Sequence, residues 1–314
     1  MTSADILKKL DLPSRDAHDL PTSLKRFADG GQYRIEIPSC EGPKAMEAVM
    51  AAAQEHGVGI HRVSQGSGIM LQTDAEIRRM LELGREHDCE VCLFVGPRAT
   101  WDIGVQAASS GGKGLGASLR GADQLAYGID DVLHGASLGL RSILVGDLGH
   151  LQILGRMREH GDLPKDFVLK VSVTLAAANP ATARILEDLG ATSINLPVDL
   201  SLAQIAAIRQ SIDAAIDFYV EAPDDLGGSV RHYEIPELVR VAAPIYLKFG
   251  LRNSPGLYPA GQHIEGLILG LSRERVRRAA IGLGILKRVM PDAIASPRSR
   301  TSNLSPTSNT DGRS

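Results

Sequence analysis

The sequence predicts an α/β protein of the (β/α)8 TIM-barrel class, and three observations predict it. Eight short apolar or alternating segments are interleaved with eight longer amphipathic ones between Tyr33 and about Met290. Helix-start and helix-stop residues fall at the joins between them. The chain has 314 residues, 43% of them hydrophobic, which is enough to fill one large core.

Strands are expected near Tyr33–Pro38, Gly59–Ser64, Glu90–Gly96, Arg141–Gly146, Phe167–Thr174, Thr192–Pro197, Ile216–Glu221 and Ile245–Phe249, all short runs bounded by turn residues. Helices are expected over Gly42–His56, Thr73–His87, Asp123–Leu138, His150–His160, Pro180–Leu189, Ser201–Ser211, Pro236–Ala242 and His263–Val289. Thr73 followed by Glu76 is a capping box, and Asn179 before Pro180 sets an N-cap ahead of a proline at the first helical position. His56-Gly57, His160-Gly161 and Leu189-Gly190 end amphipathic runs on glycine. Residues 1–31 contain an amphipathic turn at Ile6–Leu10, then Pro13, Pro21 and the Gly30-Gly31 pair, and read as an adaptor. Residues 32–290 form the expected barrel, and 291–314, rich in Ser, Thr, Pro and Asn, an expected disordered tail.

An open doubly wound sheet is the alternative architecture. It calls for a glycine-rich cradle at a strand end, whereas the cluster Ser110–Gly116 (SGGKGLG) is far from one and lacks the closing Gly-Lys-Ser/Thr of a P-loop. That cluster belongs to the loop Pro97–Ala122, which also carries Arg98, Asp102 and the single tryptophan, Trp101. A loop of that length inside a barrel is either a lid over the mouth or a mobile insertion.

The formal net charge of −3 leaves no basic footprint for nucleic acid or an anionic membrane. The N-terminal stretch carries acidic residues and lacks the apolar core of a signal peptide, and no run of about twenty apolar residues appears, so a cytoplasmic chain is expected. Three cysteines, Cys40, Cys89 and Cys92, are too few for a disulfide framework. Cys89 and Cys92 have C-x-x-C spacing, but side chains three apart on a strand point to opposite faces.

Alternation sorts the strand faces. Leu169, Val171 and Val173 form an apolar row for the helices, leaving Lys170, Ser172 and Thr174 inward. The same rule turns Arg34, Glu36, Tyr219, Glu221, Tyr246 and Lys248 inward, while the second strand offers either Ile60-Arg62-Ser64 or His61-Val63-Gln65. The expected interior is therefore a mixed-sign cluster, which either plugs the barrel as an ion-pair network or meets a polar ligand.

Several chemistries fit this cluster. Glu221 reads as the acid/base, with Glu36 beside it, and Lys170 or Lys248 as an electrophilic or imine-forming partner. A phosphate or carboxylate would be held by the loops after strands seven and eight, through Gly227, Gly228, Arg252 and Asn253, or by Arg34 and Arg98. A divalent metal stays open, with Glu221, Asp147 and His61 among the candidate ligands, but no HExxH fixes them.

Three segments carry a resemblance: EIPSCEGPKAMEAVMAAAQEHGVGIHRVSQG, FVLKVSVTLAAANPATARILEDLGATSINLPVDLSLAQIAAIRQSID and YEIPELVRVAAPIYLKFG. They resemble the barrel domain of the collagenase-like U32 peptidase family, over about Tyr33 to Val289. The resemblance implies a barrel and a peptidase-like hydrolase. Members typically carry a cysteine-rich signature, which in several binds an iron–sulfur cluster and in others accompanies RNA hydroxylation. This chain lacks it, so no iron–sulfur cluster and no nucleic-acid partner carry over, and no family catalytic residue has a matching motif here. The expectation is an enzyme acting on a small polar or anionic molecule, or a peptide, at the C-terminal face of the barrel. A lysine-imine lyase or aldolase, and a non-catalytic binding or assembly subunit, are the alternatives; a homo-oligomer is left open.

Overall fold

Eight parallel strands close into a barrel: β1 (Tyr33–Pro38), β2 (Arg62–Gln65), β3 (Glu90–Phe94), β4 (Ser142–Val145), β5 (Val168–Val171), β6 (Ser193–Asn195), β7 (Ala215–Ala222) and β8 (Ile245–Phe249). Each pairs with the next, and β8 returns to β1 with Arg34 opposite Tyr246 and Glu36 opposite Lys248. The computed structural model describes residues 5, 6, 9, 19–101, 104–110, 112 and 115–297. The turn expected at Ile6–Leu10 lies largely outside them.

Eight helices form the outer layer: α1 (Pro43–His56), α2 (Asp74–Glu86), α3 (Gly121–Ser137), α4 (Leu148–His160), α5 (Pro180–Asp188), α6 (Leu202–Ser211), α7 (Ile235–Ala242) and α8 (Glu265–Val289). Their starts are chemically fixed. Thr73 and Glu76 close a capping box on α2, Asn179 caps α5 through the amide of Thr182, and Ser201 with Gln204 closes a second box on α6. None of the helices among the described residues is long and apolar enough to cross a membrane.

The main core lies between sheet and helices. Ile35 and Ile37, Leu169 and Val171, Ile216 and Phe218, and Ile245, Leu247 and Phe249 all face it, as alternation requires of strands covered by helices. Cys89 belongs to this core, whereas Cys92 faces the lumen with Phe94, Ala117 and Leu144, so the two thiols lie on opposite sides of β3.

Three departures from the sequence expectations shape the barrel and its mouth. First, β5 stops at Val171 rather than Thr174, because the Ser172 hydroxyl accepts from the Thr174 amide and caps a 3-10 turn over Val173–Leu175. Second, the register of β7 against β8 shifts between Tyr219 and Glu221, a bulge that places Glu221 opposite outward-facing Phe249. Third, the described part of the expected tail is ordered. Ala295 bridges to Tyr33, Ser296 is buried, and its amide donates to the Tyr33 carbonyl at 3.0 Å; residues 298–314 lie outside the described residues.

The bottom of the barrel is plugged. Phe27, from the segment before β1, meets Tyr246 edge-on with ring centroids 5.3 Å apart and buries Ala215 with it. The sequence-expected adaptor thus ends as a stopper in the N-terminal mouth.

Candidate active site at the carboxyl ends of the strands

The lumen above the plug holds a buried ion network in which Asp217 Oδ2 alone of the carboxylate oxygens is left without a hydrogen bond among the described residues. Glu36, fully buried, accepts from Lys170, from Ser64 Oγ at 2.7 Å and from Arg62 Nη1 at 3.2 Å, and lies 3.4 Å from Lys248 Nζ. Arg62 also donates to Asp217 at 2.8 Å and to Glu90 at 2.8 Å, and stacks 3.6 Å over the Tyr246 ring. Lys248 donates to Asn195 Oδ1 at 2.6 Å and sits 4.1 Å over the Tyr219 ring. Three cations, Arg62, Lys170 and Lys248, thereby meet three carboxylates, Glu36, Asp217 and Glu90, which is what allows such groups to be buried at all. Burial raises the Glu36 carboxyl, but Lys170, Lys248 and Arg62 outweigh it and hold the group well below its ordinary range. Asp217 goes the other way: burial and the nearby Glu36 charge raise it, against Lys170, Arg62 and Lys248.

Over this network opens a cavity of about 610 Å³ at the carboxyl ends of the strands. Its walls combine apolar surface from Phe94, Ala117 and Leu144 with Ser172, Thr174, Tyr219, Tyr258, Asp224 and Asp225, and with two arginines, Arg98 and Arg275. Arg98 follows β3. Its guanidinium stacks 3.6 Å over Phe94 and 4.1 Å from the Trp101 ring, and it donates to the Gly66 carbonyl. Arg275 reaches in from α8, donates to the Ser39 carbonyl at 3.4 Å and feels the charge of buried Glu41. Both side chains are buried, at 8% and 3% exposure, yet neither forms an ion pair among the described residues, and the Nε of each has no acceptor. Burial without a paired carboxylate lowers both arginines, Arg98 to about 10.

Gly66 is the hinge of this wall. Its amide donates to Glu41 Oε1 at 2.6 Å and its carbonyl accepts from Arg98. A Cβ there would lie 2.3 Å from the Tyr258 ring, so only glycine lets Tyr258 close the cavity.

The residues expected from sequence divide between the network, the cavity and the periphery. Glu36, Lys170 and Lys248 come together, but in the sealed network, with Tyr219 between Lys248 and the cavity. Arg98 lines the cavity as expected. Glu221 does not join them. The bulge turns it outward, to accept from the Arg252 amide at 3.1 Å and to lie 3.2 Å from His232 Nε2 and 3.6 Å from Arg278. Burial raises its carboxyl, but His232, the Arg252 amide and Arg278 together hold it below the ordinary range.

Arg34 lies away from the mouth cavity. As the second residue of β1 it lies at the N-terminal end, bound to Asp29 at 2.8 Å, Tyr246 Oη at 2.9 Å and Ser296 Oγ at 3.0 Å. The phosphate loop expected after strands seven and eight is filled by the chain itself. Arg252 Nε donates to Asp224 at 2.8 Å, and the Asn253 amide donates to the same carboxylate. Gly228 packs on that pair, where a Cβ would come 2.7 Å from Asp224, and Gly227 ends the turn Asp224–Leu226. None of Gly227, Gly228, Arg252 or Asn253 lines the cavity.

The metal candidates do not converge. His61 sits at the base of the barrel, where Nδ1 accepts from the Ile35 amide at 3.0 Å and Nε2 is 2.9 Å from the Ser296 carbonyl. Asp147 caps α4 through the His150 amide and takes the Leu119 amide at 3.1 Å, and Glu221 is outside the lumen. No grouping of three or more His, Cys, Asp or Glu that could hold a metal occurs among the described residues. The set named from sequence therefore does not fit a divalent ion.

A closed parallel barrel with a polar cavity at its C-terminal mouth is the architecture of many enzymes. Residues 122–222 match the sequence model of peptidase family U32, which relates the chain to that family. No curated protein matches. Among solved structures, a U32 peptidase is 16% identical, with 67% of this chain and 74% of that one covered at a TM-score of 0.39. A candidate fructose-1,6-biphosphate aldolase from Coccidioides immitis is 9% identical over 82% of this chain and 92% of the other, at a TM-score of 0.51. The thiamine phosphate pyrophosphorylase of Pyrococcus furiosus is 11% identical over 82% and 98%, at 0.42.

Proposed function

We propose that the chain is a cytosolic enzyme, a peptidase-like hydrolase through its relation to family U32, acting on a small anionic substrate in the mouth cavity. One observation carries this reading: two buried arginines line a 610 Å³ cavity and neither forms an ion pair among the described residues, Glu41 acting on both only from beyond contact. A buried guanidinium left in that state gains most from an anion brought in by a ligand. In this reading Arg98 and Arg275 hold the anion and the aromatic sandwich fixes the Arg98 fork. Asp225, at the cavity rim, takes the acid/base role in place of Glu221. The Glu36 network positions Tyr219 through Lys248.

The lysine-imine reading is less well supported. An amine must be free to attack a carbonyl, and Lys170 Nζ is bound to Glu36 while Lys248 Nζ is bound to Asn195.

The test is turnover of a panel of short peptides and small amides bearing a free carboxylate, followed by mass spectrometry. Cleavage by the wild type, reduced on the order of 100-fold in kcat/KM by Asp225→Asn and by Arg275→Gln, is the expected result. Undiminished turnover by both variants, or a borohydride-trapped adduct on Lys170 or Lys248, would overturn it.

A further inference from the structure

The chemistry of the cavity narrows the ligand further, resting on the reading that the mouth cavity is the substrate site. Two anions compete for any pair of arginines: a carboxylate, singly charged and planar, or a phosphoester, carrying close to two charges. The cavity wall decides between them. The same wall also carries Asp225, and Asp224 in its pair with Arg252, so an entering dianion would be opposed more strongly than a monoanion. The barrel position at which phosphate is often bound, the loops after strands seven and eight, is already filled by a carboxylate of the chain, Asp224, held by Arg252 and the Asn253 amide. Here the chain itself uses a carboxylate as the anion. Among the polar groups Ser172, Thr174, Tyr219 and Tyr258 the wall also keeps apolar surface: Phe94, Ala117 and Leu144 of the lumen cluster, with Leu251 and Leu257. Apolar surface of this kind is covered by a hydrocarbon body, not by a hydrated sugar phosphate.

We infer that the cavity takes a monocarboxylate carried on an apolar body, with the carboxylate received by Arg98 and Arg275 and the body seated against Phe94 and Leu144. Arg98 is held rigid by its two rings before the ligand arrives, which lowers the ordering entropy of its fork.

The experiment is isothermal titration of the full chain with three probes: 4-phenylbutanoate, 4-phenylbutanamide, which differs from it only in the charge of its head group, and phenyl phosphate, which presents a dianion on the same ring. The acid is expected to bind at least about tenfold more tightly than the amide and than the phosphate, a difference of about 1.4 kcal/mol. Arg275→Gln and Arg98→Gln are each expected to abolish the preference for acid over amide, while Arg141→Gln, on the opposite face, leaves it intact. If either variant fails to fold, the wild-type comparison of the three probes still decides. An amide bound as tightly as the acid overturns the inference, as does phenyl phosphate bound more tightly, or no binding of the acid at millimolar concentration. Tighter binding of phenyl phosphate leaves the anionic-substrate reading standing while removing this inference. Binding of the acid in a chain that turns nothing over keeps the inference and removes the enzyme reading.

Discussion

The lumen and the mouth of this barrel carry the same kinds of charge but treat them differently. In the lumen Arg62, Lys170 and Lys248 meet Glu36, Asp217 and Glu90, with Ser64, Ser142 and Asn195 taking further bonds. In the mouth Arg98, just past β3, and Arg275, from α8, are also buried and have no ion-pair partner among the described residues. The lumen cations each meet a carboxylate of the chain, and the mouth arginines do not. The difference is why the mouth, and not the lumen, is the proposed ligand site.

The largest expected effect breaks the paired side. Glu36→Gln leaves Lys170, Lys248 and Arg62 short of one anion in a sealed site, and is expected to cost about 3–5 kcal/mol in urea unfolding. The same residue sets a pH signature. Its folded carboxyl lies below its unfolded value near 4.5, so its contribution is fully present above that value and is lost as pH falls toward the folded one. Unfolding free energy of Glu36→Gln should therefore fall less steeply than wild type below pH 4.5.

On the open side the pattern reverses. Arg275→Met removes a buried cation that has no ion-pair partner, so stability should change by no more than about 1 kcal/mol while affinity for the acid probe falls at least about tenfold. Loss of stability comparable to Glu36→Gln would show that Arg275 is paired after all. Gly66→Ala forces the Tyr258 ring off the cavity wall and is expected to weaken acid binding several-fold with about 1–2 kcal/mol of destabilisation, read by titration and urea unfolding together.

A smaller effect comes from His150, outside both regions. Burial lowers it from 6.5 to about 4, so the folded state refuses a proton that the unfolded chain accepts, and stability falls as pH drops from 6.5 toward 4. His150→Phe should flatten that part of the profile in thermal unfolding.

How much of this was legible in the sequence depends on how far a strand keeps its alternation. β1 and β8 do so throughout, and their bounds and inward residues, Glu36 and Lys248 included, match the expectation. Extending the same alternation two residues back from Tyr219 reaches Asp217, a member of the network absent from the expected interior. Arg62 hung on an ambiguous second strand, which the structure resolves in favour of the Arg62-Ser64 face. Glu221 misled because a bulge changes face without changing composition; the turn-rich Asp224–Ser229 immediately after it was the only hint. The expected anion loop failed because the sequence could not show that Asp224 folds back onto Arg252. Arg275 carried a usable signal. It lies at helical spacing from Ile268, Ser272 and Ala279 on the buried stripe of α8, a position where an arginine needs a reason.

The most direct measurement is the ligand-induced shift of the urea unfolding midpoint, for wild type and Arg275→Gln side by side, on adding 4-phenylbutanoate. Because a ligand stabilises only the state that binds it, a clear rise is expected for the wild type and none for the variant. Equal rises in both proteins would contradict an anion site built on Arg275.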